Sequence, residues 1–211
     1  MTLIAINVLL LPDAATAAKA VHTNARLLKN YPAGFALDAN HAPHITLLQQ
    51  FVRRADLAAV ANAVAAVLGS EQPVHCKSTA TGFYDMAYKN LGLVGIVIEP
   101  TGELRRLQQT IIAAVAPFAA ENGTAEAFAP RADGESINQA TVEYVNNFVG
   151  PCSGINYHPH VTCGIGSREY VDALKAEPFE PISFQPLGVS MYQIGEYGTA
   201  QTKFYDFADA G

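Results

Sequence analysis

Two tetrapeptides hold residue types able to do chemistry together: Pro43-His44-Ile45-Thr46 and Pro159-His160-Val161-Thr162. At this chain's composition the pattern Pro-His-[Ile/Val]-Thr is expected about 0.003 times by chance, yet it occurs twice. The second copy follows the first by roughly half the chain, which suggests two related halves that each bring one motif to a shared site. On a strand, side chains alternate between faces, so His44 and Thr46 point the same way, as do His160 and Thr162. Ile45 and Val161 point into the core. Each proline can begin its strand, where a missing N–H does no damage. Two such strands offer two imidazoles and two hydroxyls to one small volume. Hydrolysis of a phosphodiester needs a base for the water and an acid for the leaving alkoxide. Two imidazoles with ordinary pKa values near ~6.5 can divide that work, one neutral and one protonated. Two threonine hydroxyls can donate hydrogen bonds to the non-bridging phosphate oxygens.

The two H-x-T motifs on strands, the chain size and a spacing near half its length resemble the two-histidine (2H) phosphoesterase superfamily. That superfamily includes RNA 2′,3′-cyclic phosphodiesterases and 2′-5′ RNA ligase-like proteins. The resemblance runs from the first strand to Val189-Ser190-Met191-Tyr192-Gln193-Ile194-Gly195. It implies a single bilobed domain over residues 1–211: two α+β lobes related by a pseudo-twofold, with a cleft between antiparallel sheets. It implies His44 and His160 as catalytic residues, Thr46 and Thr162 as phosphate ligands, and no metal or other cofactor. It implies that His160 activates water and His44 protonates the leaving oxygen. A late strand bordering the cleft would let Gln193 touch substrate. The expected substrate is a 2′,3′-cyclic phosphate or a related small cyclic or 2′-5′ phosphodiester, on a small nucleotide or an RNA end.

Other readings of the same residues stand beside this one. His41 and His158 each precede a motif histidine, and with His44 and His160 they could chelate a metal for a metal-assisted hydrolase. A nucleotide or phosphosugar binding module without turnover would keep the same site. Tyr157 and Phe51 lie close enough to the motifs to stack on a base, and equally suit core packing. Arg53, Arg54, Arg131 and Arg168 are candidates for meeting a phosphate, though such residues are more often solvated surface charges. Cys152 sits in a loop before the second motif but has no cysteine-enzyme signature around it. Gly164-Ile165-Gly166 lacks the rest of a dinucleotide fingerprint. His22 and His75 read as structural.

The elements that must position the motifs can be read from pattern and punctuation. Leu3 to Leu11 is a strand. Its apolar run is broken by Asn7 and has no preceding Lys or Arg, which argues against a signal peptide. Asp13 caps a helix to about Asn30. His44 to Val52 is a strand. Asp56 caps a helix that Gly69 stops. Residues 73–84 and 89–99 form a hairpin through 85–88. A helix follows Pro100-Thr101-Gly102, with Leu104, Leu107, Ile111, Val115 and Phe118 on one face. Residues 121–134 read as an exposed connection. Ser136 caps a helix through Phe148, with Ile137, Ala140, Tyr144, Val145 and Phe148 inward. Tyr157 to Ile165 is a strand, Ser167 caps a helix to Ala176, and 182–207 is a closing pair of strands. Mixed helices and hairpins make the fold class α+β with antiparallel sheets.

Composition bounds what such a site serves. The chain has 211 residues, half of them hydrophobic and only 15% charged, enough for a sizeable core. With 19 acidic and 13 basic residues its net charge is −6. A protein that coats long nucleic acid is usually basic, so the balance argues against long RNA held tightly, and any polyanion is expected to be small or locally bound. Three cysteines, widely spaced and without a CxxC, favour a reducing compartment, and a cytoplasmic monomer is the expectation. No run approaches the ~18 apolar residues of a membrane helix.

Overall fold

The computed structural model of the chain describes residues 2–38, 41–71 and 76–207; His75 lies outside them. Strand β1 (Leu3–Leu11) is buried along almost its whole length, as a continuous apolar run requires. Asp13 caps helix α1 (Ala14–Asn30) by accepting from the Thr16 N–H at 2.9 Å. Strand β2 (Ile45–Arg53) follows, then helix α2 (Leu57–Glu71). Asp56 ends a 3₁₀ turn and accepts from the Arg53 guanidinium at 2.5 Å. Strands β3 (Ser78–Tyr88) and β4 (Leu91–Ile98) form the expected hairpin, but it turns at Lys89-Asn90. Asp85 therefore stays in a strand, where Arg168 and Lys175 hold its carboxylate. Helix α3 (Gly102–Val115) buries Leu104, Leu107, Ile111 and Val115, and Thr101 caps it.

Three sequence expectations are corrected in the second half. The exposed connection at 121–134 instead buries Ala127, Phe128 and Ala129, with Phe128 in a cluster that includes Ala5 and Phe51. Helix α4 (Gln139–Asn146) starts late because Asn138, not Ser136, caps it by accepting from the Thr141 N–H at 2.8 Å. That shift buries Thr141 and Val142 and leaves Ala140 and Tyr144 exposed. After strand β5 (His160–Ser167) and helix α5 (Arg168–Ala176), residues 182–207 form three strands rather than two. These are β6 (Ile182–Phe184), β7 (Gly188–Ile194) and β8 (Ala200–Asp206). Pro186 lacks the N–H a ladder needs and separates β6 from β7.

The strands make one eight-stranded antiparallel sheet in the order β6-β3-β4-β5-β2-β1-β7-β8. β6 joins β3 at one edge, and β7 returns to β1 on the other side. The two four-stranded halves meet at the centre through the antiparallel pair Ile45–Val161. The residues between the histidines and threonines of the two motifs thus stitch the sheet together. α1 packs on β5 and α3 on β2, covering one face with the main hydrophobic core. The fold is α+β, as expected.

Candidate active site

The register at the centre of the sheet decides how the motif side chains meet. With Ile45 opposite Val161, one step either way sets His44 opposite Thr162 and Thr46 opposite His160. Directly opposed side chains lie within reach of each other on one face. The site therefore consists of two cross-strand pairs, each one imidazole and one hydroxyl. His160 begins β5, and His44 lies one residue before β2.

Both imidazoles are anchored in the same way. The His44 Nδ1 is 2.8 Å from the Ala42 carbonyl, and the His160 Nδ1 is 2.8 Å from the His158 carbonyl. A carbonyl only accepts, so each Nδ1 carries the proton and each neutral ring keeps its Nε2 lone pair for chemistry. Burial pushes the His44 pKa down to about 4, with the neighbouring His160 adding to the effect. Burial also lowers the His160 pKa, and there the further lowering comes from His158.

The loops that deliver the motifs are pinned by buried amides. On α1, Asn24 donates to the Phe35 and Cys163 carbonyls and accepts from the Leu37 N–H, all at 2.8–2.9 Å. It thereby ties the loop before His44 to the strand that carries His160. On α3, Gln108 donates to the Cys152 carbonyl at 2.8 Å and Arg105 to the Gly154 carbonyl, which fix the loop before His160. Tyr157 is 3% exposed, and its hydroxyl donates to the Thr46 carbonyl at 2.9 Å.

Two cavities flank the cross-strand pairs. The first, about 20 Å³, is lined by His44 and Thr162 with Phe35, Leu37, His41, Ala42, Tyr197 and the Gly198–Ala200 segment. The second, about 190 Å³, is lined by Thr46 and His160 with the rings of Tyr84, Tyr144, Phe148 and Tyr157. Among the described residues, no Lys or Arg lines either one. Phosphate recognition there would rest on hydroxyls, imidazoles and backbone.

Several candidates from the sequence find other work. Gln193 donates to the Ala127 carbonyl at 3.0 Å and is committed to the main chain. Phe51 is fully buried, packed edge-on against Phe128. Arg53, Arg131 and Arg168 are each held by carboxylates, and Arg54 is exposed. His22 is exposed on α1. His41 pairs with Asp38 at 3.1 Å beside the small cavity, whereas His158 is exposed at the large one. The four histidines do not gather, and among the described residues no three His, Cys, Asp or Glu side chains form a group able to hold a metal. Cys152 also lines the large cavity, with its thiol 3.6 Å from the Tyr144 hydroxyl.

Sequence reasoning misses three residues. Asn7, fully buried on β1, places its amide Nδ2 3.1 Å from the His44 Nε2. Its signal is a lone polar residue inside an apolar strand. Tyr84 lays its ring against His160 with centroids 4.7 Å apart. It can do so because Gly95, its cross-strand partner, has no side chain: a Cβ there would stand 2.4 Å from the Tyr84 ring.

The model of the 2′-5′ RNA ligase superfamily matches residues 12–196. No curated protein matches by sequence. Among solved structures, the chain is similar to TT0787 of Thermus thermophilus, at 13% identity and a TM-score of 0.50 over 97% of each chain. It is also similar to apo LigT of E. coli, at 14% identity and a TM-score of 0.47 over 98% of this chain and 97% of LigT. Usb1 of Kluyveromyces marxianus follows at 11% identity and a TM-score of 0.39, over 94% of this chain and 96% of Usb1.

Proposed function

The chain belongs to the 2′-5′ RNA ligase superfamily, the two-histidine phosphoesterases, and we propose that it hydrolyses a 2′,3′-cyclic phosphate or a related small cyclic or 2′-5′ phosphodiester without a metal. The observation that carries this reading is the pair of imidazole–hydroxyl couples either side of Ile45–Val161, each imidazole anchored through Nδ1. A phosphate between the couples would take hydrogen bonds from Thr46 and Thr162 on its non-bridging oxygens. One Nε2 would remove a proton from water and the other would return one to the leaving oxygen. A site without Lys or Arg among its described lining residues suits one phosphate on a small nucleotide or RNA end. A net charge of −6 disfavours a long strand.

The test is hydrolysis of nucleoside 2′,3′-cyclic phosphates by EDTA-treated protein. Turnover should survive EDTA and fall at least ~100-fold in both His44→Ala and His160→Ala, the scale of a lost acid–base group. Turnover abolished by EDTA and restored by zinc contradicts the reading. Tight binding of several cyclic phosphates without turnover would make the protein a binding module instead.

A further inference from the structure

We infer that Phe35 and Tyr197 form a second ring-binding subsite at the His44–Thr162 end of the site, which takes an aromatic ring carried on the other side of the substrate's phosphate from the large cavity. This rests on the phosphoesterase reading and narrows its substrate class to a linear diester with a base on each side of the phosphate.

The first observation is a residue out of keeping with its backbone. The β7–β8 turn runs Glu196-Tyr197-Gly198-Thr199 and is closed by the Thr199 N–H, which donates to the Glu196 carbonyl at 3.2 Å. Both central residues have positive φ, 57° at Tyr197 and 77° at Gly198, the pattern of a type I′ turn. Asn-Gly suits such a turn, and a bulky side chain at its first central position is strained. Tyrosine stands there instead and is 46% exposed. Residues that defy a local backbone preference cluster where a site needs their side chains.

The second observation is where that ring goes. Tyr197 stacks on Phe35 with centroids 5.8 Å apart and planes 26° from parallel, and His41 tilts against Phe35 at 6.4 Å. All three line the small cavity with His44 and Thr162. Phe35 comes from the loop before the first motif, and Tyr197 from the turn beyond β7. Both are fixed through their main chains. The Phe35 carbonyl accepts from Asn24 at 2.8 Å, and the Gly198 carbonyl accepts from the buried Gln49 amide at 3.2 Å. Glu196, on the other side of Tyr197, pairs with Arg131 at 3.0 Å and accepts from the Asn138 N–H at 3.2 Å. The platform is therefore in place before a ligand arrives, which cuts the entropy cost of binding. A base stacks on such rings through its π-face and needs no cation beside it. The cavity of about 20 Å³ is far too small for a base, so the base lies across its mouth on the exposed side of Tyr197.

The two ends together set the substrate class. A phosphate between the cross-strand pairs has two ester oxygens. In a nucleoside 2′,3′-cyclic phosphate both belong to one sugar, so a single base is present and one set of rings goes unused. In a linear diester between two nucleosides each ester oxygen bears its own base. One base then meets the rings of Tyr84, Tyr144, Phe148 and Tyr157, and the other meets Tyr197 and Phe35.

Three adenosine substrates, given to the full-length protein, test the subsite. They are 2′-5′-linked ApA, the methyl ester of adenosine 2′-phosphate (a linear diester with one base) and adenosine 2′,3′-cyclic phosphate. For the wild type, kcat/KM on ApA should exceed that on the methyl ester about 5- to 100-fold, the factor for one stacked base, with the gain in KM. Tyr197→Asn suits the left-handed backbone and should bring that ratio to within about twofold of one, while Tyr197→Phe should preserve it. A wild-type ratio near one, turnover of the cyclic phosphate alone, a ratio that Tyr197→Asn leaves intact, or equal losses on all three substrates overturns the inference and leaves the phosphoesterase reading standing. Wild-type protein that turns over none of the three refutes that reading. Thermal melts of both variants separate lost binding from lost folding.

Discussion

One tetrapeptide pattern is used twice, and its two copies end in unlike surroundings. Around His44 the walls are close: a buried amide on Nε2, the loop of Phe35 and Leu37, and space for about one water. Around His160 the walls retreat into a much larger, ring-lined cavity. The strand geometry and the Nδ1 anchors are the same at both ends. What differs comes from strands that carry no motif: β1 supplies Asn7, and the β3–β4 hairpin supplies Tyr84 and Gly95. A repeated motif fixes the chemistry on offer, while the flanking strands give its two copies different surroundings.

The largest effect should come from the hydroxyls, where the two ends are alike. Thr46→Val and Thr162→Val remove one donor each and should each lower kcat about 100- to 1,000-fold with KM changed less, measured on a cyclic phosphate. A tenfold disparity between them would show that one threonine does not reach the phosphate. Next is stability against pH. Unfolded histidine titrates near ~6.5, and His44 in the folded chain at about 4. Between those values the unfolded chain binds more protons, so stability is complete above the unfolded value and falls as pH drops to the folded one. The loss is about 3 kcal/mol from this group, and His160 shifts in the same direction. Urea unfolding at about pH 7 and about pH 4 should show it, and His44→Asn should flatten the dependence.

Two smaller changes act on one end only. Gly95→Ala brings a Cβ against the Tyr84 ring and should destabilise by about 2 kcal/mol. It should also raise KM for substrates whose ring packs in the cavity beside Tyr84. Asn7→Ala removes the donor on His44 and should cost about 1 kcal/mol of stability. It should also raise the His44 pKa, read by NMR titration, and an unchanged value would show that the contact does not bear on that ring.

Local pattern makes much of this legible. β1, the Asp13 and Ser167 caps, the amphipathic face of α3 and the two motifs depend on near neighbours in sequence, and the structure carries each of them. Asn7 stands out as a polar break in β1, yet its partner, 37 residues away, is set by the β1–β2 register. The pairing of His44 with Thr162 likewise depends on a single long-range strand contact, which no local period encodes. Residues 121–134 read as solvent-exposed because Ala and Gly carry little hydrophobic signal. In the fold, Gly123 is small enough to lie flat on the Phe51 ring. Resemblance draws Gln193 toward the site, and it serves the Ala127 carbonyl instead.

The most direct measurement is kcat/KM for a nucleoside 2′,3′-cyclic phosphate as a function of pH, which reports the ionisations of the free enzyme. One imidazole must be neutral to act as base, and burial lowers both rings, His44 to about 4, so the rate should fall as pH drops below the ordinary histidine range. The other must be protonated to act as acid, so the rate should fall again as pH rises through a value below the ordinary histidine 6.5. The expected profile is a bell with its maximum between those limits, and His44→Ala and His160→Ala should each lose one limb. A profile flat from about pH 5 to about pH 9 would contradict a histidine pair sharing acid and base work.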